Sequence, residues 1–157
     1  MRKIMFAFAA AIALPLVSAP TAAQAPAAID VESLDPISGS WIYRPIVGGS
    51  EADFLDSSAT VRFKMRCNRS VRSVSIIRTA VPAAAPTLSI WTSTISRTVP
   101  ARFLSTRELV ADLAATDPLL DAIAFSRGRF GTAAAGAPML VLPVWAALTR
   151  VIEDCRS

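Results

Sequence analysis

The alternation of hydrophobic and polar residues is most regular in residues 60–67. Its apolar positions recur at every second residue and are Val61, Phe63, Met65 and Cys67. The basic side chains of Arg62, Lys64 and Arg66 stand between them. A period of two is typical of a strand with one buried and one solvated face. After a turn at residues 68–70, residues 71–79 predict a second strand, so the pair should form an antiparallel hairpin.

Further strands follow from shorter patterns of the same kind. The sequence predicts them at residues 40–44, where Trp41 and Tyr43 share a face, and at residues 51–55, 87–94, 95–99 and 139–142. The two prolines in residues 80–86 favour a loop, because proline cannot donate to a strand ladder. Residues 107–114 are compatible with either a strand or a helix.

Two helices are predicted near the C-terminus. Asp117 is a good N-cap and Pro118 suits the first helical position, so residues 117–124 should form a short helix. The last helix is expected to begin at Pro143. Its apolar residues fall in one stripe at helical spacing and are Val144, Trp145, Leu148, Val151, Ile152 and Cys155. Each of the three tryptophans, Trp145 included, is expected in the core.

These elements predict a single α+β domain over residues 38–157. Its antiparallel β-sheet assembly should be a sandwich or roll of about six or more short strands, with the C-terminal amphipathic helix docked on it. The preceding residues 24–37 are rich in proline and alanine and are expected to be flexible.

The N-terminus has the layout of a secretory signal peptide. Arg2 and Lys3 precede a run of fourteen uncharged, almost wholly apolar residues, and small residues follow. We expect residues 1–23 to be removed by cleavage after Ala23, which gives an exported, periplasmic chain. The alternative is a retained membrane anchor, but about 20 apolar residues are needed to cross a bilayer. Loss of Arg2 and Lys3 lowers the net charge from +4 to +2.

The chain has two cysteines, Cys67 and Cys155. In an exported protein the simplest expectation is a disulfide between them. It would join the alternating strand to the apolar stripe of the last helix, so the helix should lie face-down on the sheet that holds Cys67. A buried thiol and a metal pair are the alternatives. A metal site needs three or four ligands, and the chain contains no histidine.

The composition argues against most catalytic chemistry. The absence of histidine removes the usual general base and the Ser-His-Asp arrangement. Two carboxylate pairs remain, Asp117 with Asp121 and Glu153 with Asp154, and we interpret both as helix-cap or solvated-face residues. We therefore expect no enzyme activity, no cofactor and no catalytic or metal-binding residues.

Basic residues cluster in the middle of the sequence. There is no acid between Asp56 and Glu108, a stretch with nine basic residues. One hypothesis is a cationic sheet face that binds an anionic envelope component or an acidic protein. Its residues would be Arg62, Lys64, Arg66, Arg69 and Arg72. The favoured alternative is that the flanking acids neutralise these cations within the fold, or that they form only a solvated face. Nucleic acid is not expected as a partner of an exported chain.

The chain resembles uncharacterised small exported proteins of Gram-negative bacteria, especially alphaproteobacteria. The resemblance lies in Trp41, the strand that ends at Cys67, the run of residues 117–130, and the tail of residues 142–156. A strand of the form F-x-x-x-x-x-G and a closing helix with a terminal cysteine more distantly resemble VasI-type periplasmic proteins associated with type VI secretion. The resemblance implies a fold and carries over no functional residue. It is compatible with a non-catalytic exported binding or envelope-accessory protein; the alternatives are an inhibitor of a hydrolase such as lysozyme and a small carboxylate- or serine-dependent enzyme.

Overall fold

The computed structural model describes residues 27–82 and 87–157. The expected signal peptide and the cleavage site after Ala23 lie outside these residues, as does most of the expected 80–86 loop. Two helices and ten strands occupy the described residues. They are β1 Gly39–Ile46, β2 Gly49–Asp56, β3 Val61–Asn68, β4 Ser73–Arg78, β5 Thr87–Trp91, β6 Ser96–Pro100, β7 Arg102–Ser105, β8 Glu108–Ala114, α1 Pro118–Ala124, β9 Arg129–Ala133, β10 Leu140–Pro143 and α2 Ala146–Asp154.

The strands form two antiparallel sheets. The six-stranded sheet has the order β1-β2-β3-β4-β8-β7, and the four-stranded sheet has the order β10-β9-β5-β6. The α+β prediction is therefore confirmed, including the C-terminal helix. The ambiguous segment is strand β8, because its residues pair along the whole length of β4, from Ser73 opposite Ala114 to Arg78 opposite Leu109. Long-range pairing of this kind decides between strand and helix where local propensity does not.

The core lies on the inner face of the six-stranded sheet. The alternation of β3 is confirmed, since Phe63, Met65 and Cys67 are all buried. Phe63 packs edge-to-face against Trp41 of β1 and Phe130 of β9, with ring centroids 5.9 and 5.5 Å apart. Because β9 belongs to the other sheet, this aromatic cluster joins the two sheets.

Helix α2 closes the core, as the apolar stripe predicts. Leu148, Val151 and Ile152 are buried, and the predicted disulfide between Cys67 and Cys155 is present, with the two Cα atoms 5.4 Å apart. The bond fixes the C-terminal end of α2 to β3. A link across 88 positions restricts the unfolded chain by about 4–5 kcal/mol in the chain-entropy model.

Two expectations about the start of α2 are wrong. Pro143 is the last residue of β10, and the helix begins three residues later, at Ala146. Trp145 is the N-cap residue with extended backbone, and 46% of its surface is exposed, so it does not lie in the core. A stripe drawn on an ideal helix places a side chain on the buried face only if the backbone at that residue is helical. Trp41 and Trp91 are buried as expected.

The segment before β1 makes more contacts than the sequence indicates. Val31 is buried in a short 3₁₀ turn, Val31–Ser33, and packs in a small cluster with Trp91 and Val141. The indole of Trp91 also donates a hydrogen bond of 2.9 Å to the carbonyl oxygen of Ala27. Residues before the expected domain boundary at Ser38, among them Ala27 and Val31, thus contact the four-stranded sheet.

Candidate functional site

The outer face of the six-stranded sheet carries most of the charged residues of the central strands. We call it the charged face; its residues are Arg44, Glu51, Asp53, Arg62, Lys64, Arg66, Arg102, Glu108 and Asp112. One row runs across neighbouring strands, with Arg44 opposite Glu51, Glu51 opposite Arg66, Arg66 opposite Ser75 and Ser75 opposite Asp112. Cross-strand neighbours of opposite charge attract each other, so the register itself neutralises the row.

The centre of this row is the buried carboxylate of Glu51. Its side chain is 2% exposed and forms ion pairs with the guanidinium groups of both Arg44 and Arg66. Arg44 also donates to Oδ2 of Asp53 at 2.6 Å. These two arginines are about half exposed, so each covers a carboxylate while it remains in contact with solvent. A buried carboxylate needs such partners, because an unpaired buried charge is costly.

Asp53 is the least satisfied group of the charged face. It is 4% exposed, and its Oδ1 atom is buried without a hydrogen-bond partner among the described residues. Burial raises the pKa of Asp53 above its ordinary value of 3.8, and the hydrogen bond from Arg44 offsets only part of this effect. Lys64 acts on Glu108 in the opposite sense: it donates to Glu108 at 3.0 Å and lowers the pKa of that carboxyl.

The five residues of the hypothesised anion-binding face separate into two groups. Arg62, Lys64 and Arg66 lie on the charged face, and each pairs with an acid: Asp56, Glu108 and Glu51, respectively. Arg69 and Arg72 lie beyond the end of β3, in the β3–β4 turn, and their guanidinium groups donate to the carbonyl oxygens of Asp154 and Arg156. The structure therefore does not bring the five cations together on one unpaired surface. This geometry agrees with the favoured alternative of neutralisation within the fold.

Arg78, the sixth basic residue of the hairpin, points into the core. It is 1% exposed and donates to the carbonyl oxygens of Arg62, Thr79 and Pro138. No carboxylate pairs with it among the described residues, and burial lowers its pKa to about 10. Its contacts join the β3–β4 hairpin to the segment before β10, so we assign it a structural role.

The two carboxylate pairs considered from the sequence do not converge on one point. Asp117 caps α1 through the amide of Leu119 and pairs with Arg97 at 2.7 Å. Asp121, one turn later, pairs with Arg156 at 2.7 Å. Asp154 accepts a hydrogen bond of 2.7 Å from the hydroxyl of Tyr43. Glu153 is exposed and forms no ion pair within the described residues.

A cavity of about 180 Å³ lies between α1 and α2. We call this region the helix edge; it consists of the lining residues Asp121, Ala124, Phe125, Thr149, Ile152, Glu153 and Arg156, together with Trp145. Phe125, directly after α1, is 80% exposed. Trp145 is the N-cap residue of α2 and stands four positions before Thr149 of the cavity wall. The region combines exposed aromatic rings with a concave, partly charged surface.

The helix edge is only weakly indicated by the sequence. Phe125 follows α1 directly, and a short helix that ends before Gly128 leaves the next side chain without a neighbouring turn to cover it. The sequence places Trp145 on the helical stripe because proline suits the start of a helix, but Pro143 ends β10 instead. Both signals concern the exact ends of helices, which sequence patterns place least well.

A second cavity, of about 270 Å³, lies beside the edge strand β7. Pro100, Ala101 and Val110 form its apolar wall, and Arg102 and Asp112 pair across it at 2.7 Å. In residues 27–82 and 87–157, no three acidic or cysteine side chains lie close enough to hold a metal ion. Neither helix in the described part of the chain could span a membrane.

Comparison with known proteins adds no relative. No family model matches the chain, and neither a curated protein nor a solved structure matches it. The helix edge and the charged face are therefore interpreted from their own geometry.

Proposed function

We propose that this chain is a non-catalytic, exported binding protein of the periplasm, and that its helix edge contacts a partner protein. The observation that carries the proposal is the exposure of two aromatic side chains: Phe125, in the wall of the cavity, is 80% exposed, and Trp145, at the start of α2, is 46% exposed. Large aromatic side chains are enriched at protein interfaces and supply much of their binding energy. Grouped exposed apolar groups mark such sites more reliably than scattered ones.

Export is supported by two independent features. Residues 1–23 have the composition of a signal peptide, and the Cys67–Cys155 disulfide is of the kind that persists in oxidising compartments. The expected mature chain begins at Gln24. Intact-mass measurement of the protein recovered from a periplasmic fraction, before and after alkylation, tests both features at once. A full-length mass or two alkylated thiols would contradict the export proposal.

The partner surface is tested by site-specific photocrosslinking in cells. A photoreactive phenylalanine analogue at position 125 or 145 should give a discrete crosslinked product, because these positions are exposed and aromatic in the native chain. Val47, which is fully exposed in the β1–β2 turn, is the matched control for exposure. Ile42, 47% exposed on β1, is the control for the charged face.

The outcomes separate the alternatives. Crosslinks at 125 and 145 but not at 47 support the helix edge as the partner surface. A crosslink at position 42 alone would indicate that the charged face, and not the helix edge, contacts the partner. No crosslink at any position would contradict the proposal. If the captured protein is a hydrolase, inhibition of its activity by the purified chain would identify this binding protein as an inhibitor.

A further inference from the structure

We infer that the cavity of the helix edge binds the cationic head group of a partner's arginine or lysine side chain. This inference rests on the proposed function and specifies the partner's chemistry. The cavity, at about 180 Å³, is smaller than the roughly 300–1,000 Å³ of typical small-molecule pockets. A site of this size suits one side-chain head group.

The charges that line the cavity favour a cation. Two acids, Asp121 and Glu153, and one base, Arg156, contribute to its wall. Arg156 is already engaged: its Nη1 atom pairs with Oδ1 of Asp121 at 2.7 Å, and its Nε donates to the carbonyl oxygen of Ala115 at 2.8 Å. The carboxylate of Glu153 has no ion-pair partner within the described residues. The wall therefore carries one net negative charge that the fold does not neutralise.

The nearest basic residue on α2 does not supply the missing charge. Arg150 precedes Glu153 by three residues, a spacing at which side chains on a helix can meet. Its guanidinium instead lies over the ring of Tyr43, 4.3 Å from the ring centre. Tyr43 belongs to β1, so Arg150 is directed toward the sheet, and the cavity is left open to a cation from outside the chain.

Phe125 supplies the second element of a cation site. Its ring lines the cavity and is 80% exposed, so its face is accessible to a ligand. The face of an aromatic ring attracts a cation, most often a guanidinium, within about 6 Å of the ring centre. A planar guanidinium that stacks on Phe125 can also donate hydrogen bonds to Glu153, which gives the site two unlike contacts with the same group.

The test uses capped tripeptides with a central arginine, lysine or citrulline, titrated into the mature, disulfide-bonded chain and followed by amide chemical shifts. Citrulline keeps the shape of arginine but carries no charge. We expect saturable shifts with arginine and lysine that are confined to α1, Phe125 and the last two turns of α2. We expect at least fivefold weaker binding of the citrulline peptide.

Three variants assign the contacts. Glu153→Gln should weaken arginine binding about two- to fivefold, the range of an exposed ion pair. Phe125→Leu keeps an apolar side chain but removes the ring face, and should weaken binding by a similar factor. Asp35→Asn removes one negative charge at a residue whose side chain is fully exposed in the segment before β1, and should leave binding unchanged.

The inference is overturned by equal binding of arginine and citrulline, by shifts centred on the charged face, by no saturable binding, or by equal effects of Glu153→Gln and Asp35→Asn. These results are separate from those of the photocrosslinking. Crosslinks at position 125 without cation binding would leave the partner surface in place and reject its proposed chemistry. Cation binding without crosslinks would show that the cavity binds cations but would reject the helix edge as a surface for a partner protein.

Discussion

The charged face and the helix edge expose similar chemical groups but use them differently. On the charged face, arginine and carboxylate side chains stand on adjacent strands, and the antiparallel register brings opposite charges together across the sheet. At the helix edge, the C-terminal ends of α1 and α2 both line the cavity, and within the described residues Phe125 and Trp145 stay exposed and Glu153 forms no ion pair. Most charged side chains of the sheet are therefore paired within the fold, whereas the helix edge keeps one carboxylate without an ion-pair partner in residues 27–82 and 87–157.

The disulfide joins β3, the strand that carries Lys64 and Arg66, to the end of α2, and its loss should have the largest effect. The chain-entropy model gives about 4–5 kcal/mol for closing the loop between Cys67 and Cys155. We expect the Cys67→Ala/Cys155→Ala chain to lose about 4 kcal/mol of unfolding free energy in urea denaturation. The reduced and alkylated native sequence serves as a second measurement of the same loss. A loss below about 1 kcal/mol in both would show that packing alone holds α2 on the sheet.

Glu51 on the charged face is paired within the fold, whereas Glu153 at the helix edge is not, so removing each carboxylate should affect stability differently. Glu51→Ala leaves two arginines without their shared partner and opens a buried site, so we expect the unfolding free energy to fall by about 2 kcal/mol. This is less than the usual cost of breaking a buried ion pair, because both arginines reach solvent. Glu153→Gln at the helix edge should change the unfolding free energy by no more than about 0.5 kcal/mol. Urea denaturation of both variants measures the contrast.

Equal losses of unfolding free energy in Glu51→Ala and Glu153→Gln would contradict the view that only the charged face pairs its carboxylates within the fold. Glu51→Gln is the matched control for shape, since it keeps the side-chain length and one acceptor oxygen while removing the charge. Its loss should fall between those of Glu51→Ala and Glu153→Gln.

Asp53 and Glu108 should give the charged face opposite pH dependences. Folded Asp53 keeps its proton to a higher pH than unfolded Asp53, since burial raises its pKa above 3.8. Above pH 3.8 the folded chain therefore binds more protons at this site, and the contribution of Asp53 to the unfolding free energy falls as the pH rises through its raised pKa. Glu108 has a lowered pKa through Lys64, so its contribution is complete above 4.5 and is lost as the pH falls.

Urea denaturation at a series of pH values compares each variant with the native sequence. The stability of Asp53→Asn relative to the native chain should rise as the pH increases from 3.8 and then level off. The relative stability of Glu108→Gln should fall over the range in which Glu108 ionises. Parallel profiles for the two variants would show that Asp53 is ionised and stabilised by Arg44 in the same way that Glu108 is by Lys64.

The sequence alone predicts the elements whose local hydrophobic pattern matches the face that they bury in the fold. Strand β3, α1 and the buried stripe from Leu148 to Cys155 are examples, since each repeats a period that a single face requires. The burial of Glu51 follows instead from the strand register, which places Arg44 on one side and Arg66 on the other. Register depends on the whole sheet, and residues 51–55 alone contain no sign of it.

The smallest expected effect concerns the solvent exposure of a single side chain, Trp145. An indole that is 46% exposed should be accessible to acrylamide, whereas Trp41 and Trp91, at 8% and 5%, should be protected. Fluorescence of the native chain should therefore contain one strongly quenched component, and Trp145→Phe should remove it with little change in stability. Trp91→Phe is the control and should retain the component. If quenching persists in Trp145→Phe, a buried indole is reached through local opening, and the partner surface would reduce to Phe125 and its cavity. If it disappears, the one tryptophan that the helical stripe places in the core is the one that solvent reaches.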